Sequence, residues 1–507
     1  MISFVSVRFL VFLAASYLLY FLVPMRRRWL VLLGASLYFY CCAGVVKMLF
    51  PLAAGAVAYA TALRIAKIQG GGKADKKRAK PWLMLGIAQI LALFLYSKIG
   101  NEAAAAAASL LKLEGEVDFQ ALVPLGFSYY TFSIIGYMAD VYWRREPAER
   151  NYLKLLLYML YFPQILQGPI PRHGRLAPQL TEGHPFQYRD LCYGLQRMGW
   201  GYFKKLVIAN RFAMITREVF GNYASYEGMV FVVALICAAI ELYCDFSGGM
   251  DIVLGVSEAF SIRLDENFRR PFFSRTVAEF WRRWHITLGA WFRDYVFMPL
   301  AASPRLIGLC QAARKRFGPR FAKQLMTVIP LAAVWLLTGL WHGTGLDYIA
   351  WGVYWGGLII LSNLYAPRIK EWNAELEVNP ESRRFRAAQT ARTFFLFLVS
   401  RLLTAPGDLG TSLEIAYRMS AVWNPGILFD GTLCQIGLDK PDLCVGVIAV
   451  LVLWAVERLQ ERNVNLRDRI TAAPLPLQWG VWCLGVLIVV IFGVYGVSRD
   501  TFIYMNY

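Results

Sequence analysis

The sequence predicts an all-α protein that crosses a membrane many times. Of its 507 residues, 57% are hydrophobic and only 17% are charged, whereas a soluble protein carries about 25% charged residues. A helix needs roughly 20 apolar residues to cross the hydrocarbon core, so the recurring apolar stretches predict about 10–12 transmembrane helices. Basic residues cluster in short runs between these stretches, which is typical of cytoplasmic loops.

Each predicted helix corresponds to one apolar segment. The segments lie at 4–23, 29–46, 48–66, 82–97, 122–143, 152–167, 229–260, 325–341, 346–365, 391–404, 443–457 and 478–497. No internal repeat is present, so we expect a single membrane domain over residues 1–507. Its C-terminal helices occupy 391–497, and a terminal motif at 498–507 follows them.

The distribution of positive charge predicts the orientation. The first segment has only Arg8 near its start, and Arg26 to Arg28 follow it, which indicates a retained helix rather than a cleaved signal peptide. The N-terminus is then extracytoplasmic and these three arginines are cytoplasmic. The same rule makes the basic stretches 64–80, 305–323 and 458–469 cytoplasmic, and the C-terminus extracytoplasmic.

The sequence lacks the motifs that are typical of several other classes of protein. The net charge of +19 does not indicate nucleic-acid binding, because the basic runs alternate with apolar spans and suit an anionic leaflet or an anionic cytosolic ligand. The nine cysteines show no metal-binding spacing, and we interpret them as small buried hydrophobes. Neither a Gly-x-Ser-x-Gly nor a His-Glu-x-x-His motif is present, so we expect acid–base or acyl-transfer chemistry without a metal.

Residues 161–178 interrupt the helical pattern with Pro163, Gly168, Pro169 and Pro171. Irregular backbone at membrane depth survives only where protein buries it or a wet cavity adjoins it. We therefore expect re-entrant segments here, and a cavity inside the helical bundle.

The chain has only four histidines, and His342 is the most informative. It ends an apolar run and precedes Gly343, where an ionisable side chain is costly and suggests function. Histidine is the usual general base near neutral pH. A histidine hydrogen-bonded at a helix end fits equally well on position alone. We interpret His173 and His184 as loop histidines, with His173 also able to line a cavity.

His285 lies in a stretch of Trp and Arg at helical spacing, residues 280–288. The simpler interpretation is an amphipathic interfacial helix with aromatic anchors. The alternative is the mouth of a tunnel for an anionic ligand, with His285 pointing inward. From the residues alone the interfacial helix is favoured.

Asp245 and Asp251 lie in an otherwise apolar segment, on either side of Gly248 and Gly249. Acidic side chains there need partners or water, and an arginine of another helix is the expected structural partner. The glycine pair allows close approach of two backbones.

Taken together, several motifs resemble the membrane-bound O-acyltransferase family. They are Tyr-Phe-Pro at 161–163, Gly-Pro-Ile at 168–170, Asp-Phe-Ser-Gly at 245–248, Asp-Glu-Asn-Phe at 265–268, Pro-Phe at 271–272, Glu-Phe-Trp-Arg-Arg-Trp-His-Ile-Thr-Leu at 279–288, Trp-Phe-Arg-Asp-Tyr at 291–295 and Gly-Leu-Trp-His-Gly at 339–343. The bacterial branch, with alginate and peptidoglycan O-acetyltransferases and the teichoic-acid D-alanyl transferase, is the most similar. The likeness covers most of the motif core at 120–360.

The resemblance implies a horseshoe-like helical bundle around a central tunnel that crosses the bacterial cytoplasmic membrane. It implies catalytic roles for His342 and His285. The basic and aromatic side chains around them are then expected to bind the donor: Arg282, Arg283, Arg293, Trp284 and Trp341. No tightly bound cofactor is implied, since acetyl-CoA would be a donor substrate.

The C-terminus, Phe-Ile-Tyr-Met-Asn-Tyr at 502–507, resembles a Phe-Ile-Tyr-Phe-Gln-Phe ending common in this branch. The resemblance implies that Tyr504 carries the acyl group, although the last three residues depart from the pattern. An interfacial aromatic anchor is the alternative role.

The predicted function is transfer of an acyl group from a cytoplasmic thioester toward an extracytoplasmic polysaccharide. Acetyl is the favoured acyl group. The expected partners are membrane lipid, acetyl-CoA or an acyl carrier protein, and an extracytoplasmic SGNH-type transferase. D-alanyl transfer to teichoic acid from a carrier protein is one alternative. A transporter or channel is another, but it predicts paired broken helices that the sequence lacks.

Overall fold

The computed structural model describes residues 2–71, 75–111, 124–496 and 502. These residues are predominantly helical, and the only β-pairing among them is one isolated antiparallel bridge, between Phe268 and Trp284. The prediction of an all-α protein is therefore confirmed.

Among the described residues, six helices are long and apolar enough to cross a membrane. They are Val46–Ile68, Asp75–Tyr96, Met229–Ala259, Pro304–His342, Leu346–Glu375 and Leu475–Phe492, and Val7–Leu22 is a shorter apolar helix. The chain is thus a multi-pass membrane protein. The larger number of ten to twelve spans stays a prediction.

The contacts of the chain divide into two compact units. The first unit comprises the described parts of 1–198, 249–265 and 500–506. Its helices are α1 Val7–Leu22, α2 Arg28–Cys41, α3 Leu49–Ile68, α4 Asp75–Leu111, α5 Phe127–Tyr142, α6 Tyr152–Leu160, α7 His173–Glu182 and most of α8 Tyr188–Tyr202. The prediction of a single domain stays a prediction.

The second unit comprises residues 199–248 and the described parts of 266–499. Its helices are α9 Asn210–Gly221, the first part of α10 Met229–Ala259, α11 Val277–Arg283, α12 Ile286–Phe292, α13 Met298–Ala301, α14 Pro304–His342, α15 Leu346–Glu375, α16 Arg383–Thr404, α17 Leu409–Ala421, α18 Lys440–Glu461, α19 Leu466–Thr471 and α20 Leu475–Phe492. Two π-helical segments, Phe203–Ala209 and Arg293–Phe297, complete it.

In the first unit the proline-rich stretch is irregular and buried over residues 161–170, as predicted. The expected interruption of helical structure is wrong for residues 173–178, which lie in α7. Leu176 and Leu180 are buried on this helix, and their burial offsets the one hydrogen bond that Pro178 cannot donate.

His173 is not a loop histidine. It is the first residue of α7 and is 8% exposed, and its Nδ1 lies 2.6 Å from Oε2 of Glu146. The sequence could not predict this pair because the partners are 27 positions apart. His184 does lie in a loop, half-buried, with its Nε2 2.7 Å from the carbonyl oxygen of Gln179.

Asp251 forms the predicted ion pair with an arginine, since Nε of Arg197 lies 3.0 Å from its carboxylate. Asp245, in the second unit, pairs with a lysine instead. Its carboxylate lies 2.5 Å from Nζ of Lys205, with both side chains at most 4% exposed.

The glycines of α10 and α14 permit close helix packing. A Cβ at Gly248 would lie 2.9 Å from the carbonyl oxygen of Gly201, and one at Gly339 would lie 2.6 Å from that of Tyr348. Both distances are too short for a side chain, so only glycine allows these backbones to approach. The close packing predicted for Gly248 is confirmed.

Candidate active site

His285 lies at a break between two short helices. Helix α11 ends at Arg283 and α12 begins at Ile286, so the predicted continuous amphipathic helix is wrong. The break arises because the preceding segment pairs with this backbone: Arg269 N–H donates to Arg283 O at 2.9 Å. His285 itself adopts the left-handed conformation, with φ 48° and ψ 51°. Such strain in a non-glycine residue persists only where its surroundings enforce it, and it concentrates at functional sites.

Asn267 determines which nitrogen of His285 carries the proton. Its Oδ1 accepts from Thr287 N at 3.1 Å and from Thr287 Oγ1 at 2.9 Å, and it lies 3.3 Å from Nδ1 of His285. A backbone N–H can only donate, so the atom facing it is the amide oxygen and His285 Nδ1 must donate to that oxygen. The neutral ring therefore presents Nε2 as a hydrogen-bond acceptor and proton acceptor.

His285 is buried, at 6% exposure, outside the six helices long enough to span. Burial lowers its pKa well below the usual value, and the proximity of His342 lowers the pKa further. A low-dielectric site disfavours the charged imidazolium. His285 is therefore neutral at physiological pH.

His342 and His285 meet on the same tryptophan. The ring centroid of Trp341 lies 4.6 Å from that of His342 and 6.0 Å from that of His285. His342 is the last residue of α14 and is 7% exposed. The structure thus brings the two predicted histidines together, although 57 positions separate them in the chain.

Two aromatic side chains of helix α15 also contact His342. Trp351 lies at 4.9 Å and Tyr348 stacks at 6.2 Å, measured between ring centroids. A Cβ on Gly343 would lie 2.2 Å from Cδ2 of Tyr348. Glycine is required after His342 because the Tyr348 ring occupies the space that any side chain would fill.

Of the five predicted donor-binding residues, Trp341 packs against the two histidines and the other four divide into two groups. Trp284 is 3% exposed and is packed among aromatic rings, with Phe268 at 5.0 Å and Phe280 at 5.5 Å. Arg283 contacts Glu461 with two nitrogens, at 2.9 and 3.0 Å. These two side chains stabilise the site's surroundings in this structure.

Arg282 and Arg293 are exposed. Arg293 pairs with the adjacent Asp294 at 2.8 Å. Arg282 lines an open cavity of about 540 Å³ together with Arg275, Thr276, Glu279 and Arg283. The lining also includes Glu381, so the cavity holds three guanidinium and two carboxylate groups, and Arg275 and Arg282 are the side chains there that could bind a phosphate with paired hydrogen bonds.

Glu461, on the last turn of α18, holds one arginine of this cavity, Arg283, in place. Burial alone would raise its pKa, but hydrogen bonds and positive charges from Arg283 and Arg270 lower the pKa below its usual value. The carboxylate is therefore ionised and fixes the side chain of Arg283, whose i−4 neighbour Glu279 contacts it at 2.7 Å.

Sequence reasoning missed the two buried lysines, Lys204 and Lys205, that contact the segment behind His285. Phe246 of α10 packs its ring 4.9 Å from His285, and the neighbouring Asp245 and Ser247 contact Lys205 and Lys204, at 2.5 and 3.0 Å. Adjacent lysines normally indicate a solvated loop, yet both are at most 4% exposed. The available signal was Asp245 itself, whose position in an apolar segment requires a cationic partner.

Tyr504 lies outside the described residues. Two positions before it, Phe502 is fully buried, with its ring 6.3 Å from that of Phe4 in the same unit. The described residues contain no group of three or more His, Cys, Asp or Glu side chains that could hold a metal ion.

Comparison with known proteins identifies the family. Residues 119–308 match the model of the membrane-bound O-acyltransferase (MBOAT) family, a range that includes His285 and ends before His342. The probable alginate O-acetylase of Pseudomonas putida is 30% identical over 461 residues, which is 90% of this chain and 87% of that protein.

Two further relatives have other names. The peptidoglycan O-acetyltransferase of Helicobacter pylori is 28% identical and covers 71% of this chain and 70% of its own. The teichoic acid D-alanyltransferase of Bacillus subtilis is 29% identical, and the match covers 51% of this chain and 62% of that protein. The chain therefore belongs to the membrane-bound O-acyltransferase family and is a multi-pass membrane acyltransferase.

Proposed function

We propose that this protein transfers an acetyl group from cytoplasmic acetyl-CoA toward an extracytoplasmic cell-wall or exported polysaccharide. The observation that carries the proposal is the pair of buried histidines on Trp341, one of which is held neutral with Nε2 as an acceptor. Bacterial relatives named for alginate and peptidoglycan acetylation support the polysaccharide acceptor.

In the proposed reaction His342 is the general base. It takes the proton of an acceptor hydroxyl while that oxygen attacks the thioester carbonyl carbon, the C–S bond breaks, and the departing thiolate receives the proton from the imidazolium. His285, being neutral, adds no positive charge that would keep His342 from accepting the proton. The burial of both rings keeps competing water away from the thioester.

Donor binding is assigned to the cavity that Arg275, Arg282 and Arg283 line. Acetyl-CoA carries phosphates that the guanidinium groups of Arg275 and Arg282 can bind, beside the ion pair of Arg283 with Glu461. Arg282→Gln should raise KM for acetyl-CoA and leave kcat nearly unchanged, because its contact is with the donor rather than with the reacting atoms.

The acceptor hydroxyl is assigned to Tyr504, on the expected extracytoplasmic side. From there an SGNH-type transferase would deliver the acetyl group to the polysaccharide. Tyr504→Phe tests this role, because it keeps the aromatic ring of an interfacial anchor and removes only the hydroxyl. Loss of labelled acetyl on the protein supports the carrier role, and unchanged labelling and transfer would exclude it.

The D-alanyltransferase relatives support a second candidate, D-alanyl transfer from a carrier protein to teichoic acid. An exchange of donors separates the two. Purified protein in proteoliposomes is supplied with labelled acetyl-CoA or with D-alanyl-loaded carrier protein, and labelled product is counted. Label from acetyl-CoA alone supports acetyl transfer, and label from the carrier alone would overturn it. Transport of a solute that survives loss of both histidines would instead indicate a transporter.

The protein is proposed to reside in the bacterial cytoplasmic membrane with both termini outside. The basic runs beside its apolar helices support this orientation. Labelling of single cysteines placed near each terminus with a membrane-impermeant reagent tests it.

A further inference from the structure

A groove runs along the outside of α1 and α2 in the first unit. Its volume is about 500 Å³. It is lined chiefly by apolar and small side chains, among them Phe12, Leu19, Val23, Gly34 and Tyr38, with Arg27 at one end. Leu19 and Tyr38 are 52% and 58% exposed, so the groove opens to the surroundings of these helices.

The length of the groove matches one leaflet of a bilayer. From Phe12 to Val23 the chain advances 11 residues, which is about 16 Å at the helical rise. The hydrocarbon core is about 30 Å thick, so one leaflet is about 15 Å. A single acyl chain that lies in this groove would reach from the membrane surface to the bilayer midplane.

The charge at the end of the groove selects the headgroup. Arg28 is already engaged, because its guanidinium donates to the carbonyl oxygens of Val23, Phe21 and His184. The Arg27 guanidinium has no hydrogen-bond or ion-pair partner among the described residues and is exposed. An arginine at the headgroup level attracts an anionic phosphate.

Gly34 keeps the groove open. A Cβ added there meets no atom within 4 Å, and glycine inside a helix is otherwise unfavourable by comparison with any unbranched residue. Neither helix packing nor a left-handed backbone requires glycine at this position. Its lack of a side chain leaves room that no described residue fills.

We propose that the groove binds one anionic phospholipid, with an acyl chain along Phe12 to Val23 and its phosphate on Arg27. By the positive-inside rule this lipid belongs to the cytoplasmic leaflet. The site is independent of the proposed acyl transfer and holds for any activity of the chain.

The test measures lipid binding by native mass spectrometry of the purified full-length protein in detergent. The probes are dioleoylphosphatidylglycerol and dioleoylphosphatidylcholine. The native protein should bind one phosphatidylglycerol about fivefold more tightly than phosphatidylcholine, the ratio expected for one interfacial arginine. Arg27→Gln should remove this preference, and Gly34→Phe should reduce binding of both lipids, because it fills the groove.

The matched control is Arg8→Gln, which removes the same charge near the opposite end of α1 and should keep the preference. Both groove variants should fold, because the Arg27 guanidinium has no partner to lose among the described residues and a side chain at Gly34 meets open space. Equal binding of the two lipids by the native protein would overturn the proposal. Unchanged lipid binding by Gly34→Phe would overturn it too, as would equal effects of Arg27→Gln and Arg8→Gln on the lipid preference. A dimer that Gly34→Phe dissociates would show that a second copy of the chain occupies the groove.

Discussion

The buried ion pair between Lys205 and Asp245 provides a quantitative test of how the core of the second unit is held. Their side chains are 4% and 2% exposed, and the charged atoms are 2.5 Å apart. Replacing Lys205 by methionine leaves a buried carboxylate without its principal partner, which costs about 3–5 kcal/mol in comparable cases. We expect a loss of at least about 3 kcal/mol.

The double variant Lys205→Met with Asp245→Leu should recover most of this loss. An apolar pair of similar volume carries no desolvation penalty, so replacing a buried ion pair in full is often neutral. The control is Glu414→Gln, which breaks the exposed i,i+4 pair with Arg418 and should cost about 0.5 kcal/mol or less.

The assay is the free energy of unfolding in mixed micelles, followed by circular dichroism as SDS is added. The native protein, Lys205→Met, Asp245→Leu and the double variant form a double-mutant cycle, whose coupling free energy isolates the pair. A coupling free energy no larger than the effect of Glu414→Gln would mean that the buried pair behaves like an exposed one.

Three further predictions concern the site and the C-terminal segment. Gly343→Ala should lower acyl transfer by about 100-fold, since the new Cβ must displace Tyr348 and with it His342. The control Gly357→Ala, where a Cβ meets open space, should leave transfer unchanged. Equal losses in the two variants would contradict a packing role for Gly343. The folded-state pKa of His285 lies below its unfolded value near 6.5. Below pH 6.5 unfolding therefore takes up a proton at this residue. The free energy of unfolding then falls as the pH drops, by at most about 1.4 kcal/mol per pH unit. His285→Gln should remove that part of the pH dependence, and parallel curves for the two proteins between pH 7 and pH 5 would contradict a buried neutral histidine. On the proposed carrier role of Tyr504, Phe502→Ala should reduce acyl transfer, because Phe502 lies two positions before Tyr504 and its ring is fully buried. Phe502→Leu, which keeps an apolar side chain there, should retain most of the transfer, and full activity of both variants would contradict a role for this ring.

The fold class could be predicted because lipid as a solvent constrains composition strongly. Only helices satisfy the backbone within one segment inside a membrane, so apolar length alone located the long helices that begin at Met229 and Leu475. The break at His285 could not be predicted in this way. Helical spacing of Trp and Arg favours a continuous helix, and the pairing of 267–269 with 283–286 that interrupts it is a tertiary contact.

The site was predicted in part, for a similar reason. His342 and His285 were identified by their positions in motifs, and the structure brings both to Trp341. The role of Asn267 was missed because it depends on hydrogen bonds across 18 and 20 positions of the chain. Arg283 and Trp284 were predicted to bind a donor from residue type alone, whereas their contacts depend on Glu461 and on the surrounding aromatic rings.

The most direct test of the central claim replaces His342 in the purified protein. Acyl transfer from labelled acetyl-CoA is measured in proteoliposomes for the native protein, for His342→Ala and for the control His184→Ala, with folding checked by circular dichroism and gel filtration. His342→Ala should fold normally and lose transfer, while His184→Ala should retain it. Folded His342→Ala protein that transfers the acyl group at the native rate would show that His342 is not the general base.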